Sequence, residues 1–273
     1  MNRLFVAYKP PFISSNWFLG RLKKKYGTKK GGFSGTLDPT AKGVLVIAFG
    51  KYTRLFRFLA KAPKTYRTTL WLGARSEGLD VEHVKEVCNV PELDEADVRR
   101  EIKALEAITS QIPPKFSAKW VDGKRAYDLA RKGEEVELKP MDVTIYETRF
   151  VAYRHPFITF EATVSEGTYI RTLGETLAKN LGSYGILSSL ERLREGPFVY
   201  ENEKALDIRK YIDLPANTFL GNPQDMELGK KLALEDFAIK GDGTYKIIQD
   251  DTIAIIEIAD GKVGYVINRM EIE

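Results

Sequence analysis

The chain has 273 residues, 43% of them hydrophobic, enough for a sizeable core and far from a disordered or fibrous composition. One cysteine excludes an intrachain disulfide, two distant histidines speak against a zinc site, and no apolar run reaches the roughly 20 residues of a membrane span. The net charge of +4 hides a segregation: residues 1–75 carry sixteen Lys or Arg and one acid, Asp38, against 26 and 37 in the remaining 198, so a polyanionic ligand is expected.

The opening "MNRLFVAYKPPF" lacks the apolar region of a signal peptide, which suits a cytoplasmic protein, and its residues 3–8 read as a short strand. "SSNWFLGRLKKKYG" follows as a helix with Ser14 or Ser15 as cap, Gly27 at its end and Lys23, Lys24 and Lys25 in its last turn. "GVLVIAFG" is a buried strand, and "KYTRLFRFLA" places Tyr52, Leu55, Phe56 and Leu59 at helical spacing. "TYRTTLWLG" is a β-branched and aromatic strand, and residues 94–108 form a capped helix with Val98, Ile102 and Leu105 on one face.

Residues 111–136 combine a Pro-Pro breaker, an Asp122-Gly123 turn and a short basic helix, as a protruding loop or hairpin would. "PFITFEATVSEGTYIRTLGETLAKNLG" reads as a strand, a turn at Glu166-Gly167, and a helix from about Thr168 that puts Tyr169 and Arg171 on its first turn. After about residue 212, "GTYKIIQ", "TIAIIEIA" and "KVGYVIN" form a meander, a small separate β module. "GTKKGG" lacks the lysine and hydroxyl ending of a P-loop and no dinucleotide fingerprint follows a strand, so neither a nucleotide nor a metal cofactor is implied.

Asp38 lies in "GFSGTLDPTAKGVL", where an aspartate between Gly35 and Pro39 is ordinarily a turn residue. Among sixteen cations it is expected to stay ionised, and on a surface built for phosphate it opposes binding. A residue that works against its own surface calls for a chemical role.

This stretch resembles the catalytic G-x-L-D-P motif of the TruB family of pseudouridine synthases. "YKPPFISSN" is similar to the family's Lys-Pro motif, "KTYRTTLWLG" to its tyrosine-bearing strand, "QIPPKFSAKWVDGKRAYDLARKGEEVE" to its RNA-gripping loop, "SEGTYIRTLGETLAKNLG" to its arginine motif and "SSLERLREGPF" to its Leu-Arg segment. The resemblance implies an α+β pseudouridine synthase fold with a mixed, largely antiparallel central sheet. It divides the chain into a catalytic domain over residues 1–212 and a PUA-like RNA-binding β module over 213–273. It also implies isomerisation of the T-loop uridine of tRNA, position 55, without cofactor, membrane or required protein partner. Asp38 would be the nucleophile, on C6 of the base or C1′ of the sugar, with Arg171 as its partner, Tyr66 stacked on the base and Tyr169 in support. Lys9, Lys64, Asp80, Lys119, Lys124, Arg125 and Leu193 would serve the RNA or the site's hydrogen bonds. Where the family carries a histidine this chain has Phe33, whose ring keeps a stacking face. Two rival readings are a non-catalytic tRNA-folding factor, in which Asp38 only caps a turn, and a guide-dependent synthase of the same superfamily.

Overall fold

The computed structural model describes residues 1–117, 119–121, 123–134 and 137–273; of residues 120, 121, 124, 125, 128, 130 and 131 only the backbone is described. Its centre is a seven-stranded sheet. The elements that build and cover it are β1 (Arg3–Lys9), α1 (Ser15–Lys25), β2 (Gly31–Phe33), β3 (Lys42–Phe49), a 3-10 helix (Gly50–Phe58), β4 (Lys64–Leu72), α2 (Glu95–Ala104), β5 (Ile145–Arg154), β6 (Phe157–Val164), α3 (Ile170–Asn180) and β7 (Gly185–Glu195). The strand order is β1-β3-β7-β4-β6-β5 with β2 added to β3, and β7 with β3 is its parallel pairing. A second, antiparallel sheet holds β8 (Gly243–Gln249), β9 (Thr252–Ala259) and β10 (Lys262–Glu271).

The two halves of the central sheet follow different patterns for a physical reason. On one face of β1 and β3, Phe5, Ala7, Leu45, Ile47 and Phe49 pack under α1 with Leu19 and Leu22. On the other, Leu4, Val6, Val44 and Val46 pack with Tyr52 and Leu55 of the 3-10 helix and with Ile253, Ile255 and Ile267 of the second sheet. Strands covered twice have no polar face to show, hence the unbroken apolar run of β3. β4 and β6 alternate instead. Leu70, Leu72, Ile158 and Phe160 bury against Val98 and Ile102 of α2 and Leu173 and Leu177 of α3, while Thr65 meets Thr163 and Arg67 meets Glu161 on the opposite face.

The second sheet is built the same way as β3. Its β9 sends Ala254, Ile256 and Ile258 into a core of its own with Phe219 and Phe237, and Ile253 and Ile255 into the core it shares with β1 and β3. Residues 50–58 form a 3-10 helix where the sequence suggests an α-helix. The buried Tyr52 and Leu55 stand three residues apart, a full turn of a 3-10 helix, and Phe58 continues that period against the same core.

Candidate active site

Asp38 sits in the turn between β2 and β3, and side chains from several elements hold that turn in place. Ser34 donates to Glu195 Oε1 at 2.8 Å, and Arg192 Nη2 donates to the Gly35 carbonyl at 2.8 Å. Ser15 Oγ donates to the Leu37 carbonyl at 3.0 Å and accepts from the Leu37 amide at 3.1 Å. The Lys9 ammonium reaches the Pro39 carbonyl at 3.3 Å, and Thr40 donates to Asp80 Oδ2 at 3.1 Å. Of the seven residues from Ser34 to Thr40, all but exposed Thr36 and Asp38 itself are thus tied down, on both sides of the carboxylate. A nucleophile so held needs little reorganisation when it reacts.

Arg171, on the first turn of α3, places Nε 3.0 Å from Asp38 Oδ2. Its other two nitrogens donate to the Gly78 carbonyl at 2.8 Å and the Phe116 carbonyl at 2.9 Å, so the whole guanidinium plane is fixed. The arginine side chain is 5% exposed and that of Asp38 34%, which leaves the carboxylate open to a ligand from one side only. Burial pushes the Asp38 carboxyl above the ordinary aspartate range; Arg171 draws it back, Asp80 adds to the rise and Lys9 opposes it. The basic background therefore does not set the net direction, which is upward. Most of those cations are solvated, whereas loss of water acts on the carboxylate directly.

The other expected site residues fall into distinct places. Asp80 is buried beside the pocket that Thr40, Arg171, Ser188 and Ser189 also line, and its Oδ1 accepts from the Glu82 amide at 3.0 Å. The Tyr66 ring is buried in the core with Leu37 and Ala41, under the Asp38 turn, and its hydroxyl makes no hydrogen bond among the described residues. Tyr169 stands at the N-cap of α3, its amide donating to Gln111 Oε1 at 3.1 Å. Lys9 is fully buried, its ammonium also donating to the carbonyls of Pro10 at 3.0 Å and Ile13 at 2.7 Å; burial lowers its pKa to about 8 while Asp38 pulls upward. Lys64 is buried too, 3.5 Å from Glu195 and 3.6 Å from Glu166. Both ammonium groups are thus buried and engaged by groups of the chain itself.

Phe33 pairs with Ile47 and packs on the core beneath α1. Leu193 is half-buried on β7. Lys119 lies with its ammonium 4.0 Å from Met141 Sδ. Trp120 and Val121 pair with Arg125 and Lys124 as a short antiparallel ladder, but the side chains of Lys124 and Arg125, and the expected turn residue Asp122, lie outside the described residues. Among the described residues no three His, Cys, Asp or Glu side chains converge as a metal would require.

The sequence reading missed Arg192 and Glu195. Their side chains are 1% and 0% exposed and 3.3 Å apart, and Arg192 Nε donates to the Val44 carbonyl at 2.8 Å. Around them the backbone must be glycine: Gly35 has φ +58°, and a Cβ there would lie 3.0 Å from both Arg192 Nη1 and Glu195 Oε1. Gly43 has φ +113°, and its Cβ would lie 2.3 Å from the Arg192 carbonyl where β3 and β7 run parallel.

With this geometry in view, the relatives are informative. Residues 23–170 match the sequence model of the TruB family pseudouridylate synthase, N-terminal domain. The chain belongs to the TruB family. It is 57% identical over 272 residues to the tRNA pseudouridine synthase B of Sulfurimonas denitrificans, covering 99% of this chain and 100% of that one. Against the tRNA pseudouridine synthase B of Campylobacter jejuni it is 49% identical over 271 residues, covering 99% of each. Among solved structures, a chain of a Cbf5-Nop10-Gar1 complex superposes with a TM-score of 0.67 at 20% identity, covering 99% of this chain and 84% of that one. The archaeal box H/ACA Nop10-Cbf5 complex gives 0.65 at 18%, covering 99% and 85%. These more distant likenesses place the TruB family chain in the fold of those proteins, α-helices over a mixed central sheet with antiparallel strands at the C-terminal end.

Proposed function

We propose that this TruB family chain isomerises uridine to pseudouridine in the T loop of tRNA, at position 55, in the cytoplasm and without a protein partner. The observation that carries the reading is a partly exposed Asp38 held by an arginine whose every nitrogen is engaged and which also lines a pocket. The bond from C1′ to N1 breaks, the uracil turns, C1′ joins C5, the C5 proton leaves and N1 takes one up; atoms balance with no co-reactant. Ionised Asp38 attacks C6 of the base or C1′ of the sugar and is expelled at the end, with Arg171 holding its rotamer and countering the burial that disfavours its charge.

Uracil stacked in an RNA loop is out of reach, so the nucleotide has to be flipped out and restacked, and Tyr66 supplies a ring beneath the Asp38 turn. In this reading residues 1–212 carry the chemistry and 213–273 grip the RNA. The test is tritium release from a tRNA transcript labelled at uracil C5, with wild type and Asp38→Asn, and with a second transcript carrying cytidine at position 55. Release by the wild type from the first transcript alone is expected. Release by Asp38→Asn, or from the cytidine transcript, refutes the assignment of nucleophile or of position respectively.

A further inference from the structure

Among the described residues, five aromatic rings are largely exposed: Phe12, Trp17, Tyr146, Phe157 and Tyr200. Phe157 leans on Trp71 and Tyr200 on Tyr8, at 5.7 Å between ring centroids in each case. Only Phe12, 73% exposed, and Trp17, 52% exposed, lie in the basic first 75 residues, and both belong to segments bonded to the Asp38 turn. Phe12 is in the turn whose Pro10 and Ile13 carbonyls share the Lys9 ammonium with Pro39, and Trp17 follows Ser15, whose hydroxyl is bonded to Leu37.

Two features set these rings apart from chance exposure. Phe12 holds φ +64°, a left-handed backbone in which glycine would sit without strain, so the chain accepts a cost to keep a ring there. Trp17, Arg21 and Lys24 follow one another at spacings of four and three along α1, on one face, with the Arg21 guanidinium 5.1 Å from the Trp17 ring centroid. The helix carries no acidic residue in its first turn and ends in Lys23, Lys24 and Lys25.

We propose that Phe12 and Trp17 are a stacking rim for unpaired RNA bases flanking the target nucleotide, with Arg21 and Lys24 on the neighbouring phosphates. The combination of an exposed π-face and a cation one helical turn away suits single-stranded nucleic acid, whose bases and phosphates alternate along the strand. It rests on the reading that RNA is the substrate, and it adds residues outside the Asp38 pocket. The rim holds bases that are not themselves flipped into the pocket, so it steadies the loop while the target uridine is out of the stack.

The experiment uses the full chain with a tRNA T-arm stem-loop transcript, reading affinity across a salt series, tryptophan fluorescence and tritium release. Trp17→Ala and Phe12→Gly are each expected to weaken binding about fivefold or more, as the loss of one stacked base would. Neither should alter the slope of log affinity against log salt, whereas Arg21→Ala should make it shallower. RNA should quench the wild-type fluorescence, and Trp17→Phe should lose that quenching. Phe12→Gly should also raise the urea midpoint, since it relieves the left-handed phenylalanine; weaker binding by a more stable protein excludes misfolding as the cause. Unchanged affinity in Trp17→Ala and Phe12→Gly with quenching retained in Trp17→Phe overturns the rim, and points these rings toward a protein partner instead. A wild type that neither binds nor releases tritium overturns the RNA reading itself, and the rim with it.

Discussion

Two carboxylates on the central sheet each bridge two cations, and their surroundings could hardly differ more. Glu161 links Arg67 and Arg149 on the open face of β6; its side chain is 14% exposed and the arginines 46% and 58%. Glu195, at the end of β7, faces Arg192 and Lys64, with 0%, 1% and 8% exposure, and also receives the Ser34 hydroxyl. The first pair of contacts lies in water, where Coulomb attraction is weak and side-chain ordering offsets it. The second lies where an unpaired charge has nowhere to go. The chemistry is alike, yet only the buried set fixes a backbone, because its members also hold Ser34, Gly35 and Val44.

Breaking the buried set should have the largest effect. Glu195→Ala leaves the buried Arg192 without its counter-charge and Lys64 with the exposed Glu166 alone, and should cost about 3–5 kcal/mol, seen as a lower urea midpoint, with single-turnover rate falling as the Asp38 turn loosens. A loss below about 1 kcal/mol would put Glu195 in the same class as Glu161. Gly43→Ala drives a Cβ against the Arg192 carbonyl and should cost about 1–3 kcal/mol by the same measurement, with no charge removed. The contrast also has a pH form. Hydrogen bonds from Arg149 and Arg67 outweigh burial and lower the Glu161 pKa, whereas burial outweighs Arg171 and raises that of Asp38. The acid limb of single-turnover rate should therefore lie above the ordinary aspartate pKa of about 3.9, rate being lost as pH falls through it, and Glu161→Ala should leave that limb in place. A limb at or below that value would contradict the burial of Asp38. The smallest effect is Glu161→Ala on stability at neutral pH, within about 1 kcal/mol and shrinking in high salt. Since the folded pKa of Glu161 is depressed, its contribution is present above about pH 4.3 and disappears as pH falls through the folded value.

The legible parts of the fold are those where one interaction decides the pattern. Ser14 accepts from the Trp17 amide and Gly27 follows with φ +62°, so α1 begins and ends where its capping letters say. The three C-terminal strands lie where apolar runs between Asp-Gly and Asp-Asp turns place them. β7 was illegible because "LERLRE" reads as solvated; Arg192 and Glu195 are buried only because the ends of β2, β3 and β4 bring Ser34, Val44 and Lys64 to them. The long polar β5 escaped notice for a related reason: its burial alternates irregularly across two register shifts. At the site, Asp38 stood out through charge segregation, and its pairing with Arg171 followed from family resemblance, since 133 residues of chain separate them. The direction of the Asp38 pKa was beyond reach, because it depends on how much water the folded chain removes.

The core shared by the two sheets sets the order in which a growing chain can finish itself. β1 and β3 are made first, and one of their faces is closed by Ile253, Ile255, Ile267 and Met270, which are made last. Until those residues emerge, the strand leading out of the Asp38 turn keeps an apolar face in water and depends on contacts more than 200 residues away in sequence. A translation product broken off after residue 212 would carry every side chain of the pocket and still lack the wall behind it. Closure of that face thus waits on strands made more than 200 residues after β3.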